Sequence, residues 1–285
     1  MSRSGVFLRW SFLPLVLMAV LLSSCQTRSN AQPLSIPHPG DPSRQVEYYI
    51  EKPVGAGPWP VVVFLHGHQD YPRPGARDFA DWGVLSQFAR RGYLAVAVSQ
   101  PGYGNSTGPA DFCGPVTQQA VSGVLARLRK DGLASPTKAV IQGISRGAVV
   151  AALVAANDPS IAGIVLISGI YDFPAYVAGP QSTQARKAIV NAIEAETGGS
   201  AEALRARSAL HVVERLEAAT LILSGAKDDR ADPEQARRFG EELSRRGRNP
   251  RVIVYPDYGH EIPVEVRRKE IDPFIDQVLG KPSGT

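Results

Sequence analysis

Gly143, Ile144, Ser145, Arg146 and Gly147 follow a short β-type run and open an apolar, alanine-rich stretch. A Gly-x-Ser-x-Gly at such a junction reads as a nucleophile elbow. The chain turns sharply from strand to helix, the serine hydroxyl is pushed into a cleft, and glycines two residues to either side let strand and helix come close. A serine hydroxyl is a weak nucleophile near neutral pH, so it needs a base within hydrogen-bond reach and a carboxylate that holds that base in the right tautomer. Two later segments supply both residue types. A strand-like run at 221–224 leads into Gly225-Ala226-Lys227-Asp228-Asp229, and another at 251–255 leads into Pro256-Asp257-Tyr258-Gly259-His260. Catalytic groups of open α/β sheets lie at the carboxyl ends of strands, where both segments fall.

The chain has 5 histidines. His38 falls in a Pro-rich segment, His211 follows an Ala-rich helical stretch, and His66 and His68 lie in the loop after an early strand. His260 is the best-placed base. For the acid, spacing does not separate Asp228 from Asp229, and Asp172, after another strand end, is a third contender. The tetrahedral intermediate of acyl transfer needs backbone donors for its oxyanion. One is the amide of Arg146, after the nucleophile and at a helix N-terminus; the second comes from the loop His66-Gly67-His68-Gln69-Asp70, with the His68 amide first in order. The imidazole of His66 reads as a loop anchor. The side chain of Arg146 either attracts an anionic substrate or pairs with a nearby carboxylate, and the pairing is favoured. No cofactor is needed. His66-x-His68-x-Asp70 copies part of a metallo-β-lactamase ligand run, but Tyr71 stands where a further histidine would follow, so no metal is expected.

The elements that must position these groups alternate along the chain. Strand patterns at 46–52, 61–66, 93–99, 139–142, 161–168, 220–224 and 251–255 are interleaved with helical ones at 78–91, 116–130, 146–157, 233–246 and 264–279. That rhythm predicts an α/β fold: a mostly parallel central sheet flanked by helices. The run Val61-Val62-Val63-Phe64-Leu65 suits a strand buried on both faces. From about 171 to 217 the rhythm breaks into Ala-rich helical sequence, too long for a loop, and is read as a helical cap insertion.

Composition sets the class. With 44% hydrophobic and 20% charged residues the chain is ordinary for a globular protein, and a formal charge of +4 makes no case for nucleic acid. The basic run Arg245, Arg246, Arg248 and Arg251 reads as a solvated helix end. Arg3 and Arg9 precede an apolar run at 12–22, the layout of an export signal. Leu22-Ser23-Ser24-Cys25 resembles the bacterial lipobox, which implies a lipid anchor on Cys25, and Gln26 beside it points by the same resemblance to the outer membrane; the alternative is a simple secretory signal cleaved nearby, which gives a periplasmic or secreted protein. The expected organisation is an export signal at 1–25, a flexible tether at 26–43 and one domain at 44–285. The second cysteine, Cys113, is read as a small buried hydrophobe.

His66-Gly67, the Pro101-Gly102-Tyr103-Gly104-Asn105-Ser106 loop, the serine pentad, Arg207-Ser208, Gly225-Ala226-Lys227-Asp228-Asp229 and Tyr258-Gly259-His260 together resemble the α/β-hydrolase superfamily. Within it they are most similar to the catalytic domain of the prolyl oligopeptidase family and to dienelactone-hydrolase-like esterases, over roughly residues 46–280. The order Ser, Asp, His is also the order of that architecture. The resemblance implies a Ser145–His260–Asp228 triad, since the peptidase acid sits three residues after the strand-end glycine. Ala148 departs from a common third glycine, and those peptidases carry an N-terminal β-propeller for which this chain is expected to have no room. The expected substrate is therefore a small ester or short peptide. The competing reading is a non-catalytic surface lipoprotein that uses the same fold as a binding module.

Overall fold

The strand runs assemble into one eight-stranded sheet in the computed structural model, which describes residues 31–280. β1 (Leu34–His38) and β2 (Asp41–Glu51) form an antiparallel pair at one edge, and β2 runs antiparallel to β4 (Leu94–Val98). The remaining strands are parallel: β3 (Trp59–Leu65), β5 (Ala134–Ile144), β6 (Ile161–Ile167), β7 (Ala219–Gly225) and β8 (Arg251–Tyr255), in the order β1-β2-β4-β3-β5-β6-β7-β8.

The pleat of β3 divides its apolar run between two cores. Val61, Val63 and Leu65 join one, Val62 and Phe64 the other. The first core lies under α3 (Pro115–Lys130), α4 (Arg146–Asn157) and α8 (Pro233–Arg245). The second lies under α1 (Arg77–Asp81), α2 (Val84–Arg90) and α9 (Val264–Leu279). Burial on both faces is why these strands carry continuous apolar sequence rather than alternation. Between β6 and β7, where a cap is expected, stand α5 (Phe173–Ala178), α6 (Gln184–Thr197), α7 (Ala201–Ala206) and a 3-10 segment, Ala209–Arg215.

Two expectations are corrected. Residues 34–43, assigned above to a flexible tether, form β1 and the start of β2, so the ordered fold begins earlier than residue 44. Ile36 and His38 point inward at the period of a strand, but one of the two is polar, and Pro37 and Pro39 flank it, which hides the pattern. His38 is buried there, with its Nε2 2.8 Å from the Val116 carbonyl. The single helix expected at 78–91 is two helices, because Gly83 turns the chain through φ +70° between them. The export signal, Cys25 and the rest of 1–30 lie outside the described residues.

Candidate active site

Ser145 follows β5 and caps α4 with φ 54° and ψ −118°, a conformation that L-residues rarely adopt. Its amide donates to the Ile167 carbonyl of β6 at 2.7 Å, which fixes the turn. The flanking glycines are required by contact. A methyl on Gly143 would overlap the Gly147 carbonyl, and one on Gly147 would overlap the Leu65 carbonyl at the end of β3. Strand, turn and helix are thus packed backbone to backbone. Gly67 lies beside the serine, and a methyl there would come within 3.2 Å of Ser145 Cβ and 3.9 Å of its Oγ. The His66–Asp70 loop therefore borders the hydroxyl.

Asp228 and His260 meet across two loops that leave β7 and β8. The loops are held together by backbone bonds from Ala226 to Tyr255 (2.8 Å) and from Lys227 to Tyr258 (2.9 Å). Gly225 has no room for a side chain against the Tyr258 and Gly259 carbonyls. His260 Nδ1 stands 2.8 Å from Asp228 Oδ2 and 3.0 Å from Oδ1, and both side chains are buried. Asp228 Oδ1 also accepts the amides of Arg230 and Ala231, each at 2.9 Å, so the carboxylate is fixed before it receives the imidazole. Ser168 Oγ donates to the His260 carbonyl at 2.9 Å. The other two candidate acids point elsewhere. Asp229 is exposed, with its carbonyl accepting from Thr183 Oγ1, and Asp172 caps α5 and pairs with Arg238. Ser145 and His260 line one cavity of about 1910 Å³, together with residues of the His66–Asp70 loop and of α6.

The histidines of that loop have separate tasks. His66 Nδ1 donates to the Gly67 carbonyl at 2.8 Å and Nε2 accepts the Gln100 amide at 3.1 Å, so both ring nitrogens are engaged. Burial lowers its pKa to about 4, which keeps the ring neutral. His68 is half-exposed, and Tyr103 Oη donates to its Nδ1 at 3.1 Å. Burial and the Arg146 charge lower the His68 pKa. Among the described residues no group of three or more His, Cys, Asp and Glu side chains is arranged to hold a metal ion.

Arg146 opens α4 beside Ser145, and its side chain turns away from solvent to pair with Glu196 of α6. Its Nη1 donates to Tyr103 Oη at 2.9 Å and to Glu196 Oε1 at 3.2 Å, and the guanidinium lies 4.5 Å from the Phe112 ring centroid. Burial weighs against this charge, yet Tyr103 and Glu196 hold its pKa above the usual range. Sequence reasoning missed Glu196, since nothing in a cap helix marks a partner 50 positions away. Tyr103 belongs to the loop at 101–106, where the sequence marks no role for it. Cys113 is buried beneath this cluster, its Sγ 3.4 Å from the Arg146 carbonyl, and burial pushes its thiol up to about 12.

A mostly parallel sheet with a strained serine between β5 and α4, and an Asp–His pair after β7 and β8, has the architecture of an α/β-hydrolase. The prolyl oligopeptidase family model matches residues 113–281, and the chain belongs to that family. The X-Pro dipeptidyl-peptidase (S15) family model also matches, over residues 44–180. Among solved structures, a Mycobacterium tuberculosis puromycin-hydrolyzing peptidase is similar with a TM-score of 0.76 at 20% identity, over 90% of this chain and 40% of that one. The Pyrococcus horikoshii acylaminoacyl peptidase gives 0.70 at 16% identity, over 91% of this chain and 43% of that one. Porphyromonas gingivalis dipeptidyl peptidase 4 gives 0.65 at 17%, over 90% and 36%. The chain thus spans about two fifths of the length of these proteins, and the likeness is one of fold.

Proposed function

We propose that this protein is an exported serine hydrolase that cleaves an ester or a short acyl or peptide bond through an acyl-enzyme. The observation that carries the reading is the Asp228 carboxylate, held by two backbone amides and paired with His260 Nδ1 beside the cavity that Ser145 lines. With Nδ1–H donated to the carboxylate, Nε2 is the basic atom of the ring. Ser145 Oγ attacks the acyl carbonyl while His260 Nε2 takes its proton, and Asp228 stabilises the imidazolium. The Arg146 and His68 amides stabilise the oxyanion, the former reinforced by the positive end of α4. Collapse of the tetrahedral adduct expels the leaving group, which takes the proton from His260. Water then repeats the sequence on the acyl-Ser145 ester. The names of the structural neighbours, a puromycin-hydrolyzing peptidase and an acylaminoacyl peptidase, favour an amide as well as an ester substrate.

Export and a lipid anchor on Cys25 are part of the same proposal and rest on the sequence layout at 1–25. Labelling with a fluorophosphonate probe tests the chemistry, alongside Ser145→Ala and a panel of p-nitrophenyl esters and aminoacyl amides. Labelling of the wild type alone is the expected result, and the panel then divides esterase from peptidase. Folded wild-type protein that takes no label would sink the reading.

A further inference from the structure

Most charges around the cavity that Ser145 and His260 line are matched. Arg77 pairs with Asp81 at 3.2 Å, Arg230 with Glu261 at 3.3 Å, and Arg268 with Asp272 at 2.9 Å. Arg90 and Arg267 are not. Arg90 is exposed to water, whereas Arg267, near the start of α9 on the helix that follows His260, is partly buried and lines the same cavity. Among the described residues no carboxylate comes within 4.0 Å of its guanidinium. Glu261 and Glu265 act on it at longer range, but Glu261 is engaged by Arg230 and Glu265 is exposed. Burial pulls the Arg267 pKa below its usual range, and those two carboxylates offset this only in part. A cation drawn out of water without a partner is unfavourable until an anion arrives.

We propose that Arg267 is an anion subsite of the cleft and that the substrate carries a carboxylate. The guanidinium offers a planar pair of donors that matches a carboxylate in two parallel hydrogen bonds. Ile262 and Val264 line the cavity between His260 and Arg267 in the chain, and supply apolar contact for the part of the substrate that joins its scissile carbonyl to its charge. The inference rests on the serine-hydrolase reading above and adds the substrate class.

Two pairs of esters test it. The acyl-side pair is p-nitrophenyl valerate and the p-nitrophenyl monoester of glutaric acid; the leaving-group pair is phenyl acetate and the acetate ester of 4-hydroxybenzoate. The readout is the ratio of kcat/KM for the charged over the neutral member, in wild type, Arg267→Ala, Arg267→Lys and Arg267→Glu. In at least one pair the ratio should fall about tenfold in Arg267→Ala. It should fall further in Arg267→Glu and recover partly in Arg267→Lys. The pair that responds assigns the carboxylate to the acyl or the leaving group. A ratio that stays constant across all four proteins in both pairs overturns the subsite. Fluorophosphonate labelling of the same samples keeps the two readings apart. A labelled enzyme with a constant ratio removes only the anion subsite, whereas an unlabelled, inactive wild type removes both.

Discussion

The guanidinium of Arg146, one residue beyond Ser145, is closed off from solvent by Glu196 of α6. Glu196 Oε2 also accepts the Phe112 amide at 2.8 Å, and Arg146 reaches on through Tyr103 to the imidazole of His68. One run of hydrogen bonds therefore joins the cap helix, the serine turn and the loop that borders the hydroxyl. α6 also lines the cavity with Ala188, Ile189 and Ala192, so the pair fixes a wall of the cleft relative to Ser145.

Breaking that pair should cost stability. Glu196→Ala leaves a buried guanidinium without its counter-charge, and a loss of about 3 kcal/mol is expected in urea denaturation. The double variant Arg146→Met with Glu196→Leu removes both charges together and should regain most of it. A Glu196→Ala protein within about 0.5 kcal/mol of wild type would show that the contact does not hold the cap.

The two neighbouring aspartates should behave very differently. Asp228→Asn keeps the shape but can stabilise the wrong tautomer of His260, and kcat is expected to fall by about 10⁴-fold. Asp229→Asn changes an exposed side chain and should stay within about twofold. Steady-state kinetics on one ester suffices; the reverse order would move the acid by one residue.

His66 makes stability depend on pH in a predictable direction. Its folded pKa is lowered to about 4 by burial, whereas an unfolded histidine titrates near 6.5. Between those values the unfolded chain binds the proton and the folded one does not, so this contribution is complete above about pH 6.5 and is lost as pH falls towards 4. The loss is about 3 kcal/mol, at roughly 1.4 kcal/mol per unit. Carboxylates titrate in part of the same window, so the measurement is the difference between wild type and His66→Gln in urea denaturation at several pH values. Parallel curves would mean that the folded protein protonates His66 at no extra cost.

Local signals in the sequence carried much of the fold. α4, β8 and α9 have the bounds that their apolar runs, glycines and prolines imply. What escaped depends on distant contacts. β1 buries a histidine against Val116, and no periodicity scale counts that as an inward-facing apolar residue. The choice between Asp228 and Asp229 rests on which carboxylate the turn amides of Arg230 and Ala231 capture, a matter of dihedral angles rather than spacing. Glu196 and Arg267 are ordinary surface-type residues in ordinary helices; only the packing of α6 over the serine turn and of α9 beside the cavity sets them apart.

The strain at Ser145 can be measured apart from chemistry. Both Ser145→Ala and Ser145→Gly remove the hydroxyl, so neither should turn over an acyl substrate, but only glycine adopts φ 54° with ψ −118° without penalty. Relief of a strained backbone is worth about 1–3 kcal/mol, and the extra freedom of glycine in the unfolded chain takes back about 0.4–1 kcal/mol. Ser145→Gly is therefore expected to be about 1 kcal/mol more stable than Ser145→Ala in urea denaturation. If alanine proves the more stable, the turn between β5 and α4 holds no such strain, and the serine is presented by the close packing of Gly143 and Gly147 alone.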